Sequence, residues 1–244
     1  MRRILVTNDD GYFSPGLDAL ADALRPLGEV TVVAPQTEAS AVGHALTLRR
    51  PLRLEKIRER VFAVDGTPTD CVNWGVLHLL KDERPKLLFS GINLGLNLGN
   101  SMWHSGTLAA AKQAALLGLR GIALSTPAGN SEPDFDRIDP YVHQVLECLL
   151  RHPDLPLVNV NFPRDPKGLR WARQSVRYYD GAVVPGEDPM GRKHFWLTVR
   201  ALEGAEEGTD LWAVREGYVS LTPLRLDLTD HAELTRVVRE IPLD

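Results

Sequence analysis

Cysteine is close to absent. Cys71 and Cys148 are the only two among 244 residues, too few for a disulfide framework or a thiolate metal site, and both fall in helix-like apolar stretches where a thiol packs as a small hydrophobe. Long hydrophobic runs are missing too: none approaches the ~20 apolar residues of a membrane span. Met1-Arg2-Arg3 leads directly into a core strand, so a signal peptide is not expected and a cytoplasmic location is. There is no surplus of positive charge, since 28 Lys and Arg against 32 Asp and Glu leave a net −4. Neither a nucleic-acid polymer nor a membrane is therefore an expected partner. Internal repeats and low-complexity linkers are also lacking. What remains is ordinary globular material, 43% apolar and 25% charged, long enough for one large α/β domain or a domain with an appendage.

The first 166 residues alternate short apolar runs with helical patterns. Ile4-Leu5-Val6, Val30 to Ala34 (ended by Pro35), Val61 to Val64, Lys86 to Phe89, Gly121 to Ser125 and Leu157 to Phe162 read as strands. Between them, Leu17, Leu20 and Leu24 share a helix face, a second helix runs from Thr67 through Val72, Val76, Leu79 and Leu80, a third from Leu108 to Leu117 and a fourth from Tyr141 to Leu150. Thr47 to Leu54 is strand-like or irregular. The alternation predicts an α/β fold, a Rossmann-like three-layer αβα core around a mostly parallel sheet. Beyond Lys167 the pattern changes. Arg170 to Tyr178 and Phe195 to Leu202 read as the strands of a β-hairpin, with the Pro/Gly-rich stretch Pro185 to Gly191 between them. Glu203 to Gly208 is acidic and mobile in character, Gly217 to Leu224 returns to strand, and Ala232 to Glu240 closes as a short helix. We expect one domain over 1–244, with a core and active site in 1–166 and, in 167–244, a hairpin and tail used for subunit exchange.

Chemistry concentrates in the loops at strand ends. Asn8-Asp9-Asp10-Gly11 follows the first strand, where open α/β sheets bind ligands. Two adjacent carboxylates repel unless a cation or proton lies between them; capping a helix is the plainer alternative. The loop Gln36 to His44 carries Ser40. Ser90-Gly91-Ile92-Asn93-Leu94-Gly95-Leu96-Asn97-Leu98-Gly99-Asn100 alternates Gly and Asn, which permits a tight backbone and offers neutral oxygen ligands. Ser105-Gly106-Thr107 opens the alanine-rich helix, with Ser105 or Thr107 as its cap, and a helix N-terminus of this kind accepts phosphate. It lacks the lysine of a Walker loop. Thr67 with Asp70, and Pro68 at the first helical position, reads chiefly as a capping box. Two acids with Ser and Asn oxygens suit Mg²⁺ or Mn²⁺, and that set beside a phosphate-binding helix end argues for phosphomonoester hydrolysis by an activated water.

The sequence resembles the SurE family, the survival-protein 5′/3′-nucleotidases. The resemblance rests on ILVTNDDGYFSPG, VVAP with the Ser40 loop, GTPTDC, SGINLGLNLG, SGTLAAA, GTDLWAVREGYVSLTPL and DLTDH, in order from residue 4 to 231. It implies a phosphoric monoester hydrolase, a 5′-nucleotidase that cleaves nucleoside monophosphates with one divalent ion per subunit. It also implies a homodimer or homotetramer built by C-terminal exchange. Carried over by position, Asp9, Asp10, Ser40 and Asn93 are the metal ligands, and Asn97, Ser105, Gly106 and Thr107 line the phosphate. Of these, Asp9, Asp10, Asn97, Ser105 and Thr107 form the catalytic set. Asp230 and His231 belong to the assembling region. One departure stands out: relatives usually read Arg-Ser-Gly in the serine loop, whereas this chain reads Ala39-Ser40-Ala41, with Gly43-His44 after it. His104 is either a general acid or a surface residue, and Trp103 either stacks on a base or packs. The rival readings are a phosphatase with an aspartyl-phosphate intermediate, for which the spaced acid pair and downstream lysine are missing, and a nucleotide-binding protein without activity.

Overall fold

Alternation along the first strand, β1 (Arg2–Thr7), sets the architecture. Ile4 and Val6 face one hydrophobic cluster and Leu5 faces another, so both sides of the strand are buried, as a parallel sheet between two helix layers requires. The computed structural model describes residues 2–129, 134–176, 179–201 and 203–241. The other strands are β2 (Gly28–Pro35), β3 (Leu54–Arg58), β4 (Val61–Val64), β5 (Leu87–Leu94), β6 (Arg120–Thr126), β7 (Leu157–Asn161), β8 (Leu169–Trp171), β9 (Tyr179–Glu187), β10 (Lys193–Ala201) and β11 (Val219–Pro223). Nine of them form one sheet in the order β3-β4-β2-β1-β5-β6-β7-β11-β8, and β9 pairs only with β10. The central pairs are parallel, while β3 and β11 run antiparallel to β4 and β7.

The helices are α1 (Pro15–Leu24), α2 (Pro68–Trp74), α3 (Gly106–Leu116), α4 (Phe135–Leu150), α5 (Asp210–Arg215) and α6 (His231–Glu240). On one face of the sheet α1 and α4 bury Leu17, Leu20, Leu24, Ile138, Val142 and Val145. On the other, α2 and α3 bury Cys71, Val72, Leu108, Ala110, Ala111 and Ala114. Each fully buried Leu contributes roughly 1.5–3 kcal/mol over leaving it exposed, and the small alanines let α3 lie close to the strands. This is the expected three-layer αβα core. Among the described residues no helix is long and apolar enough to cross a membrane.

Several elements depart from expectation. The Thr67–Asp70 capping box forms, but after Trp74 the helix widens into a π turn over Gly75–Leu79. The stretch Thr47 to Leu54 is irregular up to Arg53, and the strand β3 begins only at Leu54, where it pairs with β4. β5 continues past Phe89 to Leu94, because its ladder to β6 breaks after Ser90 and resumes at Asn93 opposite Ser125. Gly91, at φ +134°, supplies the break. α4 starts six residues before Tyr141, since Asp134 caps it by accepting from the Arg137 N–H at 3.3 Å. Pro140 sits inside at the loss of one backbone bond.

The hairpin's first strand is β9, not Arg170 to Tyr178. Leu169–Trp171 joins the main sheet beside β11 instead, Arg177 and Tyr178 lie outside the described residues, as does Leu202, and β9 runs through Pro185 and Gly186. A two-stranded ribbon has free edges, so a proline in it need not break a ladder bond. The turn is closed by Asp188, whose Oδ1 accepts from the Met190 and Arg192 N–H groups at 2.9 and 3.0 Å.

Candidate active site

In the sheet order β1 lies between β2 and β5, and the chain leaves it in opposite directions, first through β2 and β4, later through β5 to β7. The crevice outside the carboxyl ends of β1 and β5 is therefore the switch point of the sheet. Asn8, Asp9 and Asp10 follow β1 there, and Asn93 is the last residue but one of β5.

Leu5, Thr7 and Asp9 alternate onto the α2–α3 side, which aims Asp9 at the start of α3. Its Oδ1 accepts the Thr107 hydroxyl at 2.6 Å, and backbone N–H groups of Gly106 and Thr107 also reach the carboxylate. A Cβ on Gly106 would lie 2.9 Å from Asp9 Cβ and Oδ2, so only glycine leaves room for the carboxylate against the helix end. The plain capping alternative thus holds for Asp9 in part, though on α3 rather than α1. Ser105 is the N-cap itself, with Oγ accepting from the Leu108 N–H at 3.0 Å.

Asp10 is held differently. The Leu94 N–H donates to its carboxylate, but Oδ2 is buried and has no partner, as is Asn8 Oδ1. Burial, then the Asp9 charge, push the Asp10 carboxyl up to about 6, with Glu38 adding to the rise and the Leu94 N–H opposing it. Burial also raises Asp9, against the Thr107 hydroxyl and the N–H groups that lower it. Two raised carboxyls side by side mark a site short of positive charge. Among the described residues no three His, Cys, Asp or Glu gather around a common point, so a cation here would rest on two carboxylates completed by neutral oxygens. Asn93 can supply one, because its Nδ2 donates to Gly95 O at 2.6 Å and leaves Oδ1 unspent. Ser40 stands on the exposed rim, where its hydroxyl donates to Glu38 Oε1 at 2.8 Å and its lone pairs stay available. The donor set fits a hard divalent ion.

The serine loop is tied to its surroundings through backbone. Gln36 N–H donates to Val64 O, Ala39 N–H to Asp9 O at 2.8 Å and Gly43 N–H to His104 O at 3.0 Å. Past it, the Thr67 hydroxyl donates to Ala45 O and Asp70 Oδ1 accepts from the Thr47 N–H at 3.0 Å, so the capping box of α2 also anchors the outgoing chain. Ala41 takes φ 59°, the left-handed region.

Asn97 lies one strand further along. Its Nδ2 donates to Ser125 Oγ at 2.8 Å, its N–H to Asn161 Oδ1 at 2.8 Å, and its carbonyl accepts from Asn159 and Asn161. The Gly99 end of the same loop is held by Asp210, which is fully buried and accepts from Gly99 N–H, Ser175 N–H and the Ser175 hydroxyl. Trp103 is exposed rather than packed, with Lys112 Nζ 5.6 Å from the ring centroid. His104 is exposed as well. His231 pairs with Asp227 Oδ2 at 2.7 Å inside the tail, and Asp230 caps α6.

Asp9, Asp10, Gly106, Thr107 and the Asn93 end of β5 are thus brought together. Sequence reasoning missed Glu38, Ser125, Asn159, Asn161 and Asp210. A signal existed for the asparagines: Asn-Val-Asn puts two amides on one face of an otherwise apolar strand.

A family model described as "Survival protein SurE" matches residues 4–181. "5′-nucleotidase SurE 1" of Thermus thermophilus is 49% identical over 241 residues, covering 95% of each chain. "5′-nucleotidase SurE" of Myxococcus xanthus is 48% identical over 239, covering 96% of this chain and 91% of that one. The crystal structure of the SurE protein from Aquifex aeolicus superposes with a TM-score of 0.86 at 41% identity, over 98% of this chain and 99% of that one.

Proposed function

The chain belongs to the SurE family, and on that premise we propose that it is a 5′-nucleotidase, a divalent-cation-dependent phosphatase that splits nucleoside monophosphates into nucleoside and inorganic phosphate. The observation that carries the reading is the Asp9–Asp10 pair at the switch point, with its raised carboxyls and the partnerless Asp10 Oδ2.

Asp9, Asp10, Ser40 and Asn93 would hold one Mg²⁺ or Mn²⁺ per subunit. When bound, such an ion supplies Lewis-acid charge beside the phosphate and favours water as the nucleophile. The protein's own groups do the rest. Thr107 and the Gly106 and Thr107 N–H groups fix the direction of the Asp9 carboxylate. Ser105 Oγ accepts from Leu108, so its O–H is free to donate to a phosphate oxygen. Asn97 Nδ2 keeps a second hydrogen after bonding Ser125, and the amide network behind it sets its orientation. The α3 N-terminus favours the dianion's charge. An aspartyl-phosphate route is disfavoured at Asp9, a residue only 4% exposed whose carboxylate already accepts from the Thr107 hydroxyl and from three backbone N–H groups.

Assembly is the second part of the proposal. The described faces of the β9–β10 hairpin expose Val183, Phe195, Trp196, Leu197 and Val199, and α6, which has no buried residue, exposes Leu234 and Val238. Such apolar surface favours burial against another subunit, which supports exchange of these elements in a homodimer or homotetramer. The unit is a single domain over 1–244, the active site within 1–166 and the exchanged parts within 167–244, although β8 and β11 complete the core sheet.

The test is phosphate release from AMP with Mn²⁺ or Mg²⁺. Release that stops with EDTA and is abolished by Asp9→Asn is expected. Release that survives EDTA, or a phosphoaspartate trapped during turnover, overturns the mechanism; no release from any nucleoside monophosphate overturns the activity.

A further inference from the structure

At the opposite edge of the sheet, where β1, β5 and β6 begin, Arg2, Arg3, Arg84, Lys86 and Arg120 line a cavity of ≈ 730 Å³ together with Leu87, Leu150 and Pro153. We propose that this basic cavity is a second ligand site, one that binds an oligophosphate (two or three linked phosphates), and that it is separate from the active site and independent of the activity assigned above. β1 spans six residues, which at ~3.3 Å per residue puts the two sites about 20 Å apart.

Five cations converge in a chain whose net charge is −4, and little within the protein neutralises them. Arg3 reaches Glu83 at 3.2 Å and Arg84 donates to the Leu117 carbonyl. Among the described residues the side chains of Arg2 and Lys86 make no ion pair. Arg120 is the second, independent observation. It is 8% exposed and held rigidly, with Nε donating to Leu155 O at 2.8 Å and Nη1 to Leu149 O at 2.6 Å, yet its Nη2 is buried without an acceptor. With that donor sealed beneath the surface, Arg120 acts on the cavity it lines through a positive charge held in a fixed place. Asp154 is the acid whose charge reaches it, weakly enough that burial still lowers the Arg120 pKa.

The ligand class follows from shape and spacing. The volume is that of a small-molecule site, and guanidinium forks match phosphate oxygens. β1, β5 and β6 are adjacent strands, so their first residues are spread over about 10 Å, a width that lets the cations grip two or three linked phosphates at once. The concave form does not suit an extended polymer, and Leu87, Leu150 and Pro153 leave an apolar wall for an attached nucleoside.

Calorimetric titration of the full chain in EDTA with inorganic triphosphate, ATP and orthophosphate tests the proposal, with excess AMP present to occupy the active-site face. Saturable, salt-sensitive binding of triphosphate or ATP, much tighter than of orthophosphate, is expected. ATP binding tighter than triphosphate assigns the apolar wall to a nucleoside; equal binding assigns the site to an inorganic chain. Arg2→Ala and Lys86→Ala, both surface changes, should each weaken binding about tenfold, while Asp9→Asn leaves it unchanged. No saturable binding, binding indifferent to Arg2→Ala and Lys86→Ala, or binding lost in Asp9→Asn overturns it.

Discussion

Replacing Asp10 with asparagine should stabilise the metal-free protein while abolishing its turnover. The ionised Asp10 carboxylate faces Asp9 and Glu38 with only the Leu94 N–H in support, and its pKa stands at about 6 rather than 3.8. At about 1.4 kcal/mol per pH unit, that displacement would cost the fold about 3 kcal/mol. Asp10 is only partly buried, and solvent screening brings the figure down to about 1–2 kcal/mol. The sign follows from proton uptake: between about pH 4 and 6 the folded chain holds a proton that the unfolded chain has lost, so stability falls as pH rises through that window and the penalty is complete above it. In EDTA at pH 8, Asp10→Asn should therefore melt roughly 2–8 °C above the parent, and the gain should vanish near pH 4. Mn²⁺ should stabilise the parent at pH 8 and barely affect the variant. Thermal unfolding followed by circular dichroism, with and without Mn²⁺ across this range, measures all of it. A variant less stable than the parent in EDTA at pH 8, or one that Mn²⁺ stabilises equally, would refute the assignment of Asp10 to a cation.

Thr107→Val removes the 2.6 Å bond that directs Asp9 and should lower kcat about 10–100-fold with the fold intact; unchanged kinetics in the phosphate-release assay would exclude that role. Asp210→Ala strands the Gly99 and Ser175 N–H groups and the Ser175 hydroxyl; a loss of about 2–4 kcal/mol in urea unfolding is expected. Ala41→Gly relieves a left-handed residue and should gain up to about 1 kcal/mol without changing activity, read by the same unfolding curves. Leu197→Lys with Val199→Lys on the hairpin should reduce the particle mass seen by light scattering, and an unchanged mass would remove the hairpin from assembly.

The core was legible because its signals are local and redundant. Short apolar runs in β1, β5, β6 and β7, and the punctuation around α1, α2 and α3, each specify an element before any partner is known. What escaped depends on distant partners. Leu169–Trp171 is strand only because β11 lies beside it, and β5 outlasts its glycine only because β6 continues. In the site, Asp9 and Asp10 stood out as adjacent acids, yet that one leans on α3 and the other keeps one oxygen unpartnered is a matter of which face of β1 each leaves from. Glu38 and Asp210 were unreadable, being ordinary acids until the loops that approach them are placed.

The backbone ties around the serine loop bear on how much its sequence is free to change. Ala39, Gly43, Ala45 and Thr47 are fastened through main-chain atoms, so the path of the loop does not depend on which side chains it carries. That is how Ala41 can hold a conformation suited to glycine: the surroundings over-determine it. Side chains flanking Ser40 can then change without moving the serine, because the arch that carries it is held by its own main chain.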